Sequence, residues 1–397
     1  SLSTLSIGNG GFAFTADITG LQSFPDFYEG GISLGTQSDW GWHTLPNPDG
    51  YTLDDVVTYY RVGNDSVPYW YQFVREGSER QKRATDWQRS NPHRIHLGMI
   101  GLEILNSDSK VVSITDINNP IQTLNLWTGK LKSVFEVEGT PVEVVTYCHQ
   151  SIDAISFRVT STLIDEGRLR VRIRFPYVNP DYFSPAYSFG NDANHLTITN
   201  ERGENGFVFT RKLGDTKYFS TIAWDGAASL ERGGPHEFFV NPNEEGALAI
   251  TCVFSPEPYE VEIPNFETTA RSSKQALEEF WLSGAAVDFS GSTDPRAFEL
   301  ERRVVLSQYL TKIQCTGELP PQESGLTFNS WHGKFHLEMH WWHALHFILW
   351  DRSELMEQQL NYYYHILPQA RATAKWQGYE GVRWPKMVCP DGRESPS

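Results

Sequence analysis

Residues 329–350 read NSWHGKFHLEMHWWHALHFILW. Five histidines, four tryptophans, one lysine and one glutamate share a run that ends wholly apolar. Three readings compete: a buried core helix, a metal site, and a pocket for a polar ring such as a sugar. The core reading covers Trp342, Leu345, Ile348 and Leu349 and predicts a helix over 338–351, apolar nearly all round and buried on every side. It leaves Lys334, His336 and Glu338 at the helix start unexplained, because each would need a buried partner there.

For a metal, His336, His340 and His343 follow one another at i, i+4 and i+7, on one helix face, and two histidines four apart can bind zinc. The glutamate is misplaced for that use. It lies between the histidines, as H-L-E-M-H, and Glu338 is about 200° of helix rotation from His336. No metal and no cofactor are expected.

Working outward, the clearest helical period lies just downstream. Met356, Leu360, Tyr363, Leu367, Ala370 and Ala374 step by threes and fours over 353–377. Asp351 and Glu354 have capping-box spacing, Gly378 fits a stop, and Pro368 should kink the helix. Segments 272–285 and 295–314 also read as helical, the latter with Phe298, Val305 and Tyr309 at helical spacing. Before about 265 the period is two. LRVRIRF (169–175) alternates Leu169, Val171, Ile173 and Phe175 with three arginines, so one face is buried and the other solvated. Residues 132–150 read as two strands around Glu138-Gly139-Thr140, and 246–255 as another strand. The charge run REGSERQKR (75–83) reads as a solvated edge or turn.

The expected fold is mixed, β then α: a large antiparallel β-sandwich over 1–265, a helical linker over 266–294, and helical hairpins over 295–397. The chain is 39% hydrophobic, enough for real cores. Its formal charge of −16, from 33 basic and 49 acidic residues, argues against general affinity for nucleic acid or anionic membranes. No apolar run is long enough to span a bilayer. Four cysteines show no C-x-x-C spacing; Cys148 and Cys252 fall in strand-like runs as buried thiols. The start, SLSTLSIGNGG, lacks Met and a charged apolar leader, as after removal of an export signal or trimming of the chain. The expected location is secreted or periplasmic. Several of the 13 tryptophans sit beside Gly, His, Asp and Asn, as in SDWGWHTLPNPDG (38–50). That company suits stacking on sugars as well as plain packing.

The segment GLTFNSWHGKFHLEMHWWHALHFILWDRSELMEQQLNYYYHILPQARATAKWQGYEGVRWPKM resembles the first part of a six-hairpin (α/α)6 glycosidase barrel. It is similar to the maltose and trehalose phosphorylase family, with its Gly-His-x-Phe-Trp-Asp-Thr-Glu, Ala-Arg-x-x-Ala and Gly-x-x-Gly-Ala-x-x-Pro-Trp motifs. It also resembles the inverting α-L-fucosidase family, whose Asn-x-Asn-x-Glu-Met-Asn-Tyr-Trp parallels Lys334 to Trp342. Both families place a β-sandwich before the barrel. The close match covers 325–395; the N-terminal part matches in architecture alone.

The resemblance implies a carbohydrate-active enzyme acting on a glycosidic bond of an oligosaccharide or glycoside. An inverting hydrolase is the first expectation; a glycoside phosphorylase or a degenerate glycan-binding protein are the alternatives. Glu338 matches the glutamate shared by both motifs. Phe335 stands where the phosphorylases have Trp, His336 where they have a sugar-binding Asp, and Lys334 and His336 at the two Asn of the fucosidases. Trp384-Pro385-Lys386 occupies a loop that lines the pocket in these families. The expected substrate-binding set is therefore Lys334, His336 and Glu338, walled by Trp331, Trp341, Trp384 and Lys386. Trp40 and Trp42, with Asp39 and His43, would reach over from an N-terminal loop. Asp391 and Glu394 could face the pocket but read better as solvated. The 132 residues after 265 are too few to close twelve helices at roughly 11–12 residues each. The expectation is that the general acid lies outside this chain, with the rest of the barrel as partner.

Overall fold

Strict alternation at 169–175 does set a sheet face. Leu169, Val171, Ile173 and Phe175 are buried, while Arg170, Arg172 and Arg174 reach partly into solvent. The computed structural model describes residues 3–70, 77–243 and 246–396. In it Leu169–Arg174 is one strand of a four-stranded antiparallel sheet, flanked by Glu237–Pro242 and Met99–Ile104. An eight-stranded antiparallel sheet runs from Leu196–Glu201 at one edge to Ile117–Asn125 at the other. Phe209 from the larger sheet meets Phe175 at 5.0 Å and Phe238 of the smaller sheet at 4.8 Å. One buried cluster joins both sheets, adding Phe135, Phe157, Ile222 and Ile250 to Val171 and Val240. Burying each such side chain is worth about 1.5–3 kcal/mol.

The strands Lys130–Val137 and Thr140–Cys148 form the expected hairpin. Glu138 and Gly139 both take positive φ, 49° and 80°, the twist that a two-residue hairpin turn needs. Glu138 accepts this conformation because its carboxylate is held by the Ser107 amide and hydroxyl. All four cysteines are free and buried.

The charge run at 78–83 departs from expectation. Ser78 accepts a hydrogen bond from the Gln81 amide and so caps a helix, Glu79–Ser90; Arg75 and Glu76 lie outside the described residues. Downstream, Phe266–Leu282 is capped by Asn265 and buries Phe266, Thr269, Ser273, Leu277 and Phe280 against the eight-stranded sheet. Ala297–Gln314 packs on the first two strands, with Tyr309 hydroxyl donating to Ser6 O at 3.2 Å. Its Phe298, by contrast, is 80% exposed.

The apolar run at 338–351 is not one buried helix. A π-helical turn, His340–Ala344, leads into the short α-helix Leu345–Leu349, and Trp341 and Trp342 are each 67% exposed. The period over 353–377 yields two helices, Glu354–His365 and Leu367–Trp376, broken at Ile366 because Pro368 has no N–H for the Tyr364 carbonyl. The capping box does not form: Asp351 turns at φ 58°, and Ser353 is the N-cap residue. The cause is Arg352, buried over the Phe280 ring and donating to the carbonyls of Phe280 and Ser283 at the end of the 266–282 helix. Gly378, at φ 85°, closes the second helix, with the Tyr379 amide bonded to Ala374 O. Among the described residues no helix is long and apolar enough to cross a membrane.

The Phe175–Phe209–Phe238 contact joins the two sheets, so Phe209→Ala should cost about 3–5 kcal/mol in urea unfolding. Arg170→Gln, on the partly solvated face, should cost far less.

Candidate functional site

The loop 329–336 turns sharply because three consecutive residues adopt left-handed backbone: Trp331 at φ 53°, His332 at 60° and Gly333 at 72°. For Trp and His this is costly and persists only where surroundings enforce it. Here His332 Nδ1 bonds Pro180 O at 2.9 Å, and Asn329–Ser330 pairs with Phe183–Ser184. Asn329 Nδ2 donates to Arg94 O at 2.7 Å. Gly333 admits no side chain, since a Cβ there would lie 2.7 Å from Arg94 Cβ and 2.9 Å from Asn329 Oδ1.

The turn sends successive side chains in different directions. Trp331 meets Tyr182 at 4.5 Å between ring centroids and His336 at 5.9 Å. Phe335–His336 then pairs with Met387–Val388, and the Leu337 amide bonds Lys386 O at 2.8 Å. That short ladder places Lys386 Nζ 3.0 Å from Glu338 Oε1 and 5.7 Å from the Trp331 ring. The Glu338 and Lys386 side chains are 42% and 53% exposed, so the pair lies at a solvent-facing rim.

His336 is buried, and its Nδ1 lies 3.0 Å from Lys334 O. That contact assigns the proton to Nδ1 and leaves the Nε2 lone pair facing Glu323 Oε2 at 3.7 Å. Burial depresses the imidazole pKa, against the opposing pull of the Lys334 carbonyl bond and of Glu323. Glu323 Oε2 is buried without a hydrogen-bond partner. Sequence reasoning missed Glu323; only the irregular PPQES stretch marks the place. Trp331, His336, Glu338, Lys386, Glu323 and Tyr182 thus combine an indole, an imidazole acceptor, two carboxylates and an ammonium. Together they can stack on a ring and exchange hydrogen bonds with its hydroxyls.

Other expected site residues stand elsewhere. Lys334 is fully buried, and its ammonium donates to Gln88 O and Asn91 O, each at 3.1 Å, and to Ser395 Oγ at 2.7 Å. It caps the carbonyl end of the 79–90 helix, where a cation suits the helix dipole, instead of facing a pocket. Burial pushes its pKa down to about 8. Trp40 is held in the strand-rich core, its Nε1 bonded to Asp153 Oδ2 at 2.7 Å and its ring against Tyr218. Trp42 is wedged between the Arg94 guanidinium and Phe335. Trp384 packs edge-on against Tyr363, and Trp341 has no ring partner among the described residues. Asp391 is exposed, but Glu394 is buried in a forked pair with Arg383.

The three histidines of the 336–343 face turn to different partners: His340 to the Tyr363 hydroxyl and His343 to Glu323 O, each at 3.0 Å. A second cluster, Asp192, His195 and His236, brings ligand-type atoms within 4.8 Å of one another. The Arg211 guanidinium bonds Nδ1 of both imidazoles, which sets a positive charge against any cation there.

No family model matches the chain, and no curated protein matches it. Among solved structures, a human-microbiome protein assigned as a kojibiose phosphorylase is similar at TM-score 0.62 and 12% identity, over 98% of this chain and 50% of that one. A bacterial glucoamylase complexed with acarbose matches at TM-score 0.42 and 8% identity, over 98% and 56%, and carries no weight here. The first likeness shows the fold, strand-rich part and helices together. The chain spans about half the length of the solved structures it matches.

Gly333→Ala should destabilise by roughly 2–4 kcal/mol, combining left-handed strain with overpacking against Arg94. Urea unfolding followed by tryptophan fluorescence reads it.

Burial also pushes His93 and His332 down to about 3. Each folds neutral, so its contribution is complete above its unfolded pKa near 6.5 and is lost as pH falls towards 3. Unfolding free energy should therefore fall from pH 6.5 to 4, and His93→Gln should flatten that slope.

Proposed function

We propose that this chain is part of a carbohydrate-active enzyme acting on a glycosidic bond, an inverting glycoside hydrolase in the first reading. One observation carries it: the Trp331–Glu338–Lys386 rim, backed by His336 and Glu323, lies in the segment that resembles the glycosidase motifs. The shared fold with a protein assigned as a kojibiose phosphorylase supports the same class. In this reading, residues 1–265 are a β-sandwich, 266–294 a linker and 295–397 the first hairpins of an (α/α)6 barrel. Exposed Trp341, Trp342, Leu349 and Tyr364 are the faces on which later hairpins would pack. Those hairpins would supply the general acid, with the second group activating water from the opposite side of the sugar.

Within the rim, Trp331 offers an apolar face to the ring, and Glu338 accepts hydrogen bonds from its hydroxyls. Lys386, 3.0 Å from Oε1, holds the carboxylate in place until the sugar arrives. His336 Nε2 accepts a further hydroxyl. A pure glycan-binding protein is the second reading, favoured by Lys334, which is sealed into the helix cap where the fucosidase motif has Asn.

Full-length protein assayed on aryl glycosides and oligosaccharides, with and without phosphate, separates hydrolysis, phosphorolysis and binding alone. Glu338→Gln should weaken saccharide affinity by roughly 1.5–3 kcal/mol, the scale of a hydrogen bond to a charged group, with folding intact. Unchanged binding and turnover in Glu338→Gln would remove the rim from the site.

A further inference from the structure

The strand-rich part carries a cavity of about 540 Å³, within the size range of small-ligand pockets. Three separate pieces of chain build it. The strand Trp42–His43 supplies one wall, the helix Glu79–Ser90 supplies Trp87, and a two-residue hairpin turn supplies Asp215. That turn is set by Gly214, at φ 53°, between the paired residues Leu213 and Thr216.

Both indoles are fixed in orientation. Trp87 Nε1 donates to Pro46 O at 3.2 Å, and Trp42 Nε1 to Asp39 O at 2.6 Å. With its N–H satisfied, Trp87 offers the cavity hydrocarbon surface, and Trp42, which has the Arg94 guanidinium over its ring, adds the part of its ring that lines the space. The polar side is different in kind. The Asp215 carboxylate is exposed, with no ion pair or side-chain hydrogen bond among the described residues. Thr216 Oγ1 lies 2.9 Å from His43 Nδ1, and both line the same space. Phe335, which packs against Trp42 at 5.4 Å, does not line it, so this cavity is separate from the Trp331 rim.

We infer that this cavity is a second binding site for a neutral polyhydroxylated ring, a mono- or disaccharide. Two immobilised indoles suit the apolar faces of such a ring, and a free carboxylate suits its equatorial hydroxyls. The class of ligand is argued from the lining itself and does not depend on turnover at the Glu338 rim.

Calorimetric titration of the full chain with maltose, kojibiose and cellobiose tests it, using wild type, Glu338→Gln, Trp87→Ala and Asp215→Asn. Two binding events are expected in wild type; the event at this cavity should persist in Glu338→Gln, which weakens only the rim event, and should weaken roughly tenfold in Trp87→Ala, a change of about 1.4 kcal/mol. It should weaken severalfold in Asp215→Asn, whose exposed turn position keeps folding intact should Trp87→Ala disturb its neighbours. Loss in Trp87→Ala and Asp215→Asn with no effect of Glu338→Gln would support this cavity and count against the rim. No saccharide binding, binding lost only in Glu338→Gln, or binding unchanged in Asp215→Asn overturns the inference. So does preferential binding of tetramethylammonium, which would mark a cation cage instead.

Discussion

The Arg94 guanidinium is fully buried, and its environment shapes everything around the candidate site. Removing such a charge from water costs several kcal/mol unless other groups replace the hydration. Its nearest carboxylate, Asp39, is 3.8 Å away, and burial pushes that carboxyl up to about 8, against the pull of Arg94 and with Asp153 and Glu318 adding to the rise. At neutral pH much of the compensation therefore falls to dipoles and rings. The guanidinium donates to Ser38 O and Gly333 O and lies over Trp42 at 4.4 Å and Phe335 at 5.8 Å. Ser38 and Trp42 belong to the strand-rich part, Gly333 and Phe335 to the motif. One cation thus fixes the motif loop against the sheets.

Lys334 repeats this arrangement one residue beyond Gly333. It too is a buried cation satisfied by neutral oxygens, and it ties the loop to the carbonyl end of the 79–90 helix. Arg94 and Lys334 hold the loop from two sides, and the left-handed turn at 331–333 is the conformation left between them. That turn lets Trp331 face Tyr182 and brings His336 and Glu338 out beside Met387 and Lys386. The rim is assembled by a backbone constraint whose causes lie mostly outside the rim.

The sequence made the regular parts of the fold readable because their causes are local. Leu169 to Phe175 alternate, and any strand carrying that pattern must bury one face. Gly378 ends a helix because the stop signal and the helix are neighbours. The failures share the opposite property. Lys334 looked like a pocket residue because its partners, Gln88, Asn91 and Ser395, are far away in sequence. Asp351 looked like a cap because Arg352's contacts with Phe280 and Ser283 cannot be read from 351–354. Trp342 and Leu349 looked like core because composition registers apolarity, not which neighbours are at hand. Within the site, the Glu338–Lys386 pairing was half legible: both residues were candidates, but only the ladder between 335–336 and 387–388 joins them.

The tryptophans show how one residue type divides into roles by the fate of its N–H. Trp40 donates to the Asp153 carboxylate, Trp42 to Asp39 O and Trp281 to Leu126 O. In these positions the indole is a polar-tipped wedge, and its ring orientation is set by packing. Trp341 and Trp342 are instead largely in solvent. Trp331 falls between the two groups: its ring is half-buried and bounded by Tyr182, His336 and Lys386. A ring that is oriented but not covered can take a ligand's apolar face without first losing rotamer freedom. It is this intermediate state, imposed by the turn that Arg94 and Lys334 hold, that distinguishes Trp331 from the other aromatic residues of the motif.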